Sequence, residues 1–173
     1  MRIVDGDEAR HGEAVRAVFN DAIAHSTALY EYRPRSPATM AAWFAAKRDA
    51  GLPVLVAEDE AGTLLGFTSW GPFRAFPAFK YTVEHSVYVR GDRRGGGVGT
   101  ALLTALLETA TLREVHVMVG AVDAGNAASL ALHRRLGFVH AGRLDAVGFK
   151  FGRWLDLDFY QRVLAGPAEP CDG

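Results

Sequence analysis

The sequence predicts an α/β fold with a mixed sheet, and three observations support that prediction. The chain has 173 residues, of which 49% are hydrophobic, so it can bury one substantial core. Strand-like and helix-like patterns alternate along it, and a glycine-dense loop separates the longest strand pattern from an apolar helix pattern. No linker, repeat or low-complexity stretch interrupts the alternation. We therefore expect one domain over residues 1–165 and a disordered C-terminal tail over 166–173.

The first half of the chain contains two helix patterns and three strand patterns. Apolar residues recur at helical spacing from Asp7 onward, and a second helix is expected from Pro37 to about Asp49 because proline suits a first helical turn. Residues 26–37 have no period and contain two prolines, which predicts a loop. Strands are expected at 2–4, 54–58 and 64–71, the last two forming an antiparallel hairpin.

The second half repeats the alternation, with a long strand pattern leading into the glycine-dense loop. The helix pattern after the loop has apolar residues at i, i+3 and i+4. A closing pair of strand patterns ends the domain. The predicted elements are a strand at 79–89, a helix from 97 to about 111, a strand at 115–121, a helix at 126–136 and strands at about 138–149 and 153–163.

The loop after the long strand has the strongest functional signal in the sequence. Two arginines, Arg93 and Arg94, precede the stretch from Gly95 to Gly99, in which four of five residues are glycine. Glycines let a ligand approach the backbone, and the following helix N-terminus offers unpaired amides and a dipole that favours anions. The loop is therefore predicted to bind phosphate. An ordinary strand-to-helix turn with solvated arginines is the alternative, which four clustered glycines disfavour.

Two common phosphate-binding motifs do not fit this loop. A Walker loop beginning at Gly91 would need lysine where Gly97 stands. A dinucleotide fingerprint beginning at Gly95 would need glycine where Thr100 stands, and no acidic residue about 20 positions further stands out as a ribose partner. The spacing Arg94-x-x-Gly97-x-Gly99 instead resembles the pyrophosphate loop of the GNAT superfamily of acetyltransferases.

A second motif downstream strengthens this resemblance. Asn126, Ser129, His133, Gly137 and Phe138 match the GNAT pattern N-x-x-[AS]-x-x-[LF]-[YH]-x-x-x-G-F. Asn126 suits a helix N-cap and Gly137 a left-handed C-cap, while the residues at i, i+3 and i+7 share one helix face. A solvated polar face is the alternative interpretation. The resemblance implies the GNAT fold: a mixed, mostly antiparallel central sheet flanked by helices, with splayed strands forming an acetyl-CoA cleft.

The same resemblance implies acetyl-CoA as the co-substrate and indicates which residues contact it. Backbone groups of the strand and the loop are expected to hold the pantetheine and pyrophosphate, and the downstream helix contributes polar side chains. The residues assigned in this way are Val87, Tyr88, Val89, Arg94, Gly95, Gly96, Gly97, Val98, Gly99, Thr100, Asn126 and Ser129.

Three stretches, 73–76, 81–89 and 147–156, resemble one branch of the superfamily more narrowly, the phosphinothricin and methionine sulfoximine/sulfone acetyltransferases. The resemblance extends roughly from Ile3 to Leu164. It implies direct acetyl transfer from acetyl-CoA to the α-amino group of a small amino-acid analogue, such as L-methionine sulfoximine, L-methionine sulfone or a phosphinothricin-like compound. Because enzymes of this branch are dimers, the resemblance also implies a homodimer.

Glu84 is the candidate general base. A free amine with a pKa of about 8 to 10 is mostly ammonium at neutral pH, so a base must take its proton. Glu84 lies among apolar residues of the long strand, and partial burial is expected to raise its pKa toward the useful range. The matching glutamate is the base in the enzymes that the chain resembles. A surface glutamate on an edge strand is the alternative interpretation.

His133 stands where most GNAT enzymes have a tyrosine that protonates the leaving thiolate. An imidazole could donate to the coenzyme sulfur or help to activate the amine. A structural histidine with satisfied hydrogen bonds is the third alternative, and the sequence does not choose among them.

The candidate acceptor pocket contains cations and aromatic rings. Arg74 or Lys150 could bind an α-carboxylate, and Phe73, Phe76 and Tyr30 could form an apolar wall. The chain departs from the phosphinothricin-resistance enzymes, which have a basic residue at the position of Phe76, so neutral sulfones and sulfoximines are expected to bind better than an anionic phosphinate. The substrate-binding set is Tyr30, Phe73, Arg74, Ala75, Phe76, Glu84, His85, Ser86 and Lys150.

Charge and composition exclude several other classes of function. A formal net charge of −1 gives no reason to expect nucleic acid or an anionic membrane as a partner. No apolar run reaches the roughly 18 residues of a membrane span and no signal peptide is evident, so a cytoplasmic protein is expected. Cys171 is the sole cysteine, and no histidine spacing resembles a zinc site, so no metal is predicted. The functional alternatives are a protein or peptide N-acetyltransferase and a non-catalytic acyl-CoA-binding module.

Overall fold

A computed structural model of the chain describes residues 1–172, which form a mixed sheet of seven strands flanked by four helices. The sheet has the order β1-β2-β3-β4-β5-β7-β6, in which β4 and β5 are parallel, whereas β1 and β2, β2 and β3, β5 and β7, and β6 and β7 are antiparallel. This confirms the predicted fold class. The elements are β1 (Arg2–Asp5), α1 (Glu8–His25), α2 (Pro37–Asp49), β2 (Val54–Glu58), β3 (Leu64–Pro72), β4 (Thr82–Val89), α3 (Val98–Leu112), β5 (Val117–Asp123), α4 (Ala127–Arg135), β6 (Val139–Lys150) and β7 (Arg153–Val163).

Two strands begin later than their sequence patterns predict. β4 begins at Thr82 rather than at 79, because Pro77–Phe79 form a 3₁₀ turn before it. β5 begins at Val117 rather than at 115, because the chain leaves α3 through a residue with φ of 57°, Glu114. In both places the backbone still makes local turn hydrogen bonds, from the Lys80 amide to the Pro77 carbonyl and from the Val115 amide to the Ala110 carbonyl, so a continuous apolar pattern overstates the length of the strand.

The chain forms two compact units, and β4 contributes to both. The first unit consists of Met1–Ser69 and Val87–Ala105. Its strands carry apolar side chains on both faces. One cluster contains Val15, Phe19, Phe44 and Phe67 with Tyr88 packed against it, and the other contains Ala57, Leu65, Val98 and Leu102 with Val87 and Val89 packed against it.

Glu58 is a fully buried carboxylate that joins β1, α1 and β2 in the first unit. Its Oε2 lies 2.9 Å from Arg2 Nη2, and its Oε1 lies 2.6 Å from Arg10 Nη2 and 2.9 Å from His11 Nε2. The Asp7 amide donates to His11 Nδ1 at 2.9 Å, so the ring proton is on Nε2 and is donated to Glu58. The His11 hydrogen bond, followed by the two arginines, lowers the pKa of Glu58 against the effect of burial.

The second unit consists of Trp70–Ser86 and the chain from Leu106 onward. In it β7 lies between β5 and β6 and pairs antiparallel with both, beside α4. Asn126 caps α4, its side chain accepting from the Ser129 amide at 3.1 Å, and Gly137 follows the helix at φ of 77°. Both caps are confirmed as predicted from the sequence.

The C-terminal residues of the second unit contact the segment just before β4. Cys171 Sγ lies 3.7 Å from Lys80 Nζ and 3.6 Å from Tyr81 Oη. Disorder of the tail stays a prediction, and its last residue, Gly173, lies outside the described residues. Among the helices of residues 1–172, none is long and apolar enough to cross a membrane.

Candidate active site

The glycine-dense loop of the first unit has the backbone geometry of an anion site. Gly95 and Gly97 have φ of 80° and 81°, a left-handed conformation that other residues adopt only with strain. α3 begins directly afterwards at Val98, and the first helical hydrogen bond is from the Ala101 amide to the Gly97 carbonyl at 3.0 Å. The amides of residues 98–100 therefore precede the helical ladder and are available to a ligand.

The three arginines before these glycines differ in how their charge is used. Arg90 forms a two-point contact with the Asp92 carboxylate at 3.1 and 2.9 Å, and Arg93 lies 3.5 Å from the same carboxylate. Arg94 is exposed and has no ion-pair partner among residues 1–172. Of these arginines, Arg94 is therefore the one whose charge is uncompensated beside the loop.

The three residues of β4 assigned to acetyl-CoA use their side chains for packing. Tyr88 stacks on Phe67 with ring centroids 5.3 Å apart, and burial raises its pKa to about 12. Val87 and Val89 pack against the opposite core cluster. Contacts from this segment to a ligand would therefore be made by its backbone.

Glu84 is half-buried on β4 in the second unit. Its side chain is 37% exposed, and Oε2 lies 4.0 Å from Arg74 Nη1. Burial raises the pKa of Glu84, and the charge of Arg74 opposes that rise. A carboxylate shifted upward and still reachable from solvent has the properties of a general base.

Arg74 is held beside Glu84 by its own neighbour. Its Nη1 donates to the Phe73 carbonyl at 2.7 Å, and its guanidinium lies 4.1 Å from the centroid of the Phe73 ring. Phe73 in turn packs edge-on against Phe79 at 5.6 Å. The side chain of Arg74 is 51% exposed, so this cation is open to a ligand.

His85 and His133 form a buried hydrogen-bonded chain. His133 Nδ1 lies 2.7 Å from the Ser129 carbonyl oxygen, which can only accept, so Nδ1 carries the proton. His133 Nε2 is then a lone pair that accepts from His85 Nε2–H at 3.1 Å. Burial, followed by the nearby His133, lowers the pKa of His85 to about 3, and burial also lowers the pKa of His133. Both rings are therefore neutral at pH 7, and both nitrogens of His133 are engaged within the protein.

Gly120 makes the histidine chain possible. It lies opposite His85 in the β4–β5 register, and a Cβ there would come within 2.6 Å of His133 Nε2 and 2.9 Å of His85 Nε2. Sequence reasoning missed this role and the pairing of the two histidines. A glycine inside a strand pattern was the available signal, because it commonly marks a close approach of other atoms.

The remaining predicted substrate residues fall in different surroundings. Phe76 is 72% exposed, and Ala75 is also exposed. Lys150 is only 3% exposed, at the β6–β7 turn, with its ammonium 5.0 Å from the Phe151 ring centroid. Tyr30, in the first unit, and Ser86 are half-buried. The second unit thus brings together Phe73, Arg74 and Glu84, and separately His85 and His133.

Metal-binding side chains are not clustered in the part of the chain that the structure describes. Within residues 1–172, no three His, Cys, Asp or Glu side chains are grouped so that they could hold an ion. Independence from metal stays a prediction.

Comparison with known proteins identifies the family. The Acetyltransferase (GNAT) family matches residues 19–138. The chain belongs to the GNAT acetyltransferases. A GNAT relative from Pseudomonas paraeruginosa (strain DSM 24068 / PA7), L-methionine sulfoximine/L-methionine sulfone acetyltransferase, is 52% identical over 147 residues, 85% of this chain and 86% of the relative. Phosphinothricin N-acetyltransferase of Alcaligenes faecalis is 42% identical over 167 residues, 95% of this chain and 82% of that protein.

Solved structures agree with this assignment. A protein from Acinetobacter baylyi ADP1 is 54% identical with a TM-score of 0.97, covering 99% of this chain and 96% of that one. A GNAT phosphinothricin acetyltransferase from Sinorhizobium meliloti in complex with acetyl-CoA is 35% identical with a TM-score of 0.93, covering 98% and 91%. Ribosomal-protein-alanine N-acetyltransferase from Brucella melitensis is 44% identical with a TM-score of 0.92, covering 95% and 100%.

Proposed function

We propose that this GNAT acetyltransferase transfers the acetyl group of acetyl-CoA directly to the α-amino group of a small amino-acid analogue, with L-methionine sulfone and L-methionine sulfoximine as preferred acceptors. The observation that supports this most directly is the half-buried Glu84 carboxylate beside Arg74, at 4.0 Å. One group can take a proton from the amine, and the other can bind the carboxylate of the same amino acid. The names of the curated relatives support the substrate class.

In the proposed reaction Glu84 takes one proton from the substrate ammonium, directly or through water. The neutral amine attacks the thioester carbonyl, a C–N bond forms, and the C–S bond breaks as the thiolate leaves. As the C–N bond forms, the nitrogen loses its second proton and the thiolate takes up one, directly or through water, which gives the N-acetyl product and coenzyme A, and Glu84 releases its proton to solvent. The raised pKa of Glu84 favours the first step, because a base works best with a pKa close to the working pH.

For His133 we propose the structural alternative among the three that the sequence leaves open. Both of its ring nitrogens are used, one by the Ser129 carbonyl and the other by His85. Burial lowers the pKa of His133, so a proton for the leaving thiolate is not stored there at neutral pH. The neutral His85–His133 pair instead has a structural role, joining β4 to α4.

The loop from Gly95 to Thr100 is proposed to hold the acetyl-CoA pyrophosphate through its amides, with Arg94 supplying charge and backbone groups of Val87 and Val89 holding the pantetheine. Gly97→Glu should abolish measurable acetyl-CoA binding, because it places a strained, negatively charged side chain at φ of 81°. Calorimetry with acetyl-CoA tests this, and Gly62→Glu, at the same φ of 81° in the β2–β3 turn, is the control for strain. Unchanged affinity in Gly97→Glu would contradict the assignment.

A substrate panel with thiol detection tests the acceptor assignment. We expect kcat/KM for L-methionine sulfone or sulfoximine to exceed that for phosphinothricin, because Phe76 cannot pair with a phosphinate. Phe76→Arg should shift the ratio toward phosphinothricin, and Arg74→Ala should lower kcat/KM for every α-amino acid. A charge-assisted hydrogen bond contributes about 1.5–3 kcal/mol, so changes of ~10–150-fold are expected. Phosphinothricin as the better substrate of the unmodified protein would refute this pocket.

Acetylation of a protein N-terminus is the second candidate, favoured by the likeness to the Brucella ribosomal-protein-alanine N-acetyltransferase. Against it stands Arg74, an exposed cation suited to the free carboxylate that a peptide lacks at its first residue. Alanine-initiated peptides in the same panel decide between the two. Turnover of peptides above that of free amino acids would favour the second candidate.

A homodimer in the cytoplasm, with each chain forming one domain over residues 1–165, completes the proposal. The β6–β7 hairpin supports the dimer, because its large apolar side chains are exposed in the single chain. These residues are Val139, Leu144, Val147, Phe149, Phe151 and Trp154. Sedimentation velocity should give twice the chain mass of 18.7 kDa, and Trp154→Asp should reduce it to one chain.

A further inference from the structure

The guanidinium of Arg74 has two ends in different environments. Its Nη1 end faces the protein, donating to the Phe73 carbonyl at 2.7 Å and lying 4.0 Å from Glu84 Oε2. Its Nε and Nη2 groups have no acceptor among residues 1–172, and the side chain is 51% exposed. The Nε–Nη2 edge of a guanidinium has two parallel N–H groups with the spacing of a carboxylate. Arg74 is therefore positioned to contact Glu84 and a ligand carboxylate at the same time.

Arg74 is the charged group that acts on Glu84. The register partner of Glu84 on β5 is Val119, which is apolar. The adjacent His85 is neutral at pH 7, because burial lowers its pKa to about 3, and His133 beyond it also has a lowered pKa. Lys80, before β4, has its ammonium 5.1 Å from the Tyr81 ring centroid and 3.7 Å from Cys171 Sγ. A change in the charge of Arg74 should thus be felt directly by Glu84.

We propose that Arg74 couples acceptor recognition to base strength: an α-carboxylate bound on its Nε–Nη2 edge neutralises the cation beside Glu84 and so makes Glu84 a stronger base. The coupling rests on the proposed function, in which Glu84 is the base and Arg74 binds the acceptor carboxylate. It does not require Arg74 to move, because the two carboxylates use different ends of one guanidinium. An amine without a carboxylate leaves the Arg74 charge directed at Glu84.

The coupling makes Arg74 a positioning residue with an effect on selectivity. In the free enzyme the cation stabilises the Glu84 carboxylate and weakens its attraction for a proton, which partly cancels the effect of burial. A bound acceptor removes this opposing effect of the Arg74 charge only when the acceptor has a carboxylate of its own. An amino acid and its carboxamide should therefore differ in kcat as well as in KM.

The test is a carbon-13 NMR titration of the Glu84 carboxyl, assigned by Glu84→Gln in protein with labelled glutamate. The titration is run without acetyl-CoA, so that no turnover occurs, on the free protein and with saturating L-methionine sulfone or its α-carboxamide. Both ligands carry an ammonium group, so their difference isolates the carboxylate. The Glu84 midpoint should be about 0.5 of a pH unit higher with the acid than with the amide, the scale of a partly exposed ion pair. Equal midpoints would overturn the proposal, and so would failure of the amide to bind together with an unchanged midpoint in the acid complex.

Variants of Arg74 separate charge from structure. Arg74→Gln should raise the Glu84 midpoint of the free protein, whereas Arg74→Lys, which keeps the charge, should leave it within about 0.2 of a pH unit. Lys80→Gln removes a cation whose ammonium lies against the Tyr81 ring and Cys171 Sγ, and it is the matched control, with no expected shift. A midpoint that is the same in Arg74→Gln as in the unmodified protein would contradict the coupling.

Failure of this inference and failure of the proposed function are distinguishable. If Glu84→Gln keeps full activity, Glu84 is not the base and the proposed mechanism is wrong. If Glu84→Gln is inactive but the acid and amide complexes titrate alike, the mechanism stands and only the coupling is wrong.

Discussion

Glu58 and Glu84 are strand glutamates of the same sheet, and their carboxyl groups titrate in opposite directions. Glu58 is completely buried, yet its pKa is lowered, because a histidine and two arginines contact it. Glu84 is 37% exposed, yet its pKa is raised, because burial outweighs a single arginine at 4.0 Å. The number and distance of partners, rather than depth alone, therefore decide the sign of the shift.

The two glutamates also have opposite relations to stability. A lowered pKa in the folded protein means that Glu58 stabilises the fold above its unfolded pKa of about 4.3, and that this contribution is lost as the pH falls through the folded value. A raised pKa means that ionised Glu84 disfavours the fold at neutral pH. A stabilising carboxylate and the proposed general base are thus the same residue type, and a catalytic role for Glu84 would use a group that the fold would prefer uncharged.

The largest expected effect is on catalysis by Glu84→Gln. Removal of one general base costs ~10²–10⁴-fold in rate, so kcat near pH 7 should fall by that factor, with partial recovery at high pH as the substrate amine loses its own proton. Steady-state kinetics with L-methionine sulfone measures this, with Glu60→Gln in the exposed β2–β3 turn as the control. A rate within threefold of the unmodified protein would remove Glu84 from the mechanism.

Glu58→Gln should have the opposite effects to Glu84→Gln: the protein should lose stability but keep most of its activity per folded molecule. The amide cannot accept charge-assisted hydrogen bonds from Arg2, Arg10 and His11 at once, and of these donors His11 is buried, so its Nε2–H cannot turn to solvent instead. Urea unfolding at pH 7 should show a lower midpoint than in Glu84→Gln, whose free energy of unfolding should equal or exceed that of the unmodified protein.

The same two variants compared at acid pH sharpen the contrast. As the pH falls below the unfolded pKa of about 4.3 and through the lowered pKa of folded Glu58, the contribution of the ionised carboxylate is lost, so the stability difference caused by Glu58→Gln should narrow. The expected narrowing follows from the lowered pKa of Glu58. A difference that is constant from pH 7 to pH 3 would show that shape, not charge, holds this cluster together.

Gly120→Ala tests the neutral His85–His133 pair and has the smallest expected effect. A methyl group 2.6 Å from His133 Nε2 must push the imidazoles apart, and such overpacking costs about 1–3 kcal/mol. Gly12→Ala in α1 is the matched control, because its nearest neighbours would be 3.6 and 3.9 Å away and alanine favours a helix. Equal unfolding midpoints for the two variants would show that the histidine pair adapts freely.

Local sequence patterns predict the elements and the loop, because both depend on residues close in the chain. The caps at Asn126 and Gly137 were predictable for this reason. The Glu58 cluster was not, since its partners lie 47 to 56 residues away and only the β1–β2 register and α1 bring them together. The pairing of His85 with His133 likewise spans 48 residues. Periodicity identifies the face on which a side chain lies, but not which distant side chain it meets.

A main-chain atom, the Ser129 carbonyl oxygen, determines which ring nitrogens of His133 and His85 carry protons. Any residue at position 129 that keeps α4 helical supplies the same oxygen, so drift at that position leaves both tautomers as they are. The sequence shows two histidines and a glycine, but not the main-chain atom that orders the two imidazoles. Reversing the direction of these hydrogen bonds would require unwinding the helix or replacing an imidazole. The backbone of α4, and not the side chain at position 129, therefore fixes both tautomers.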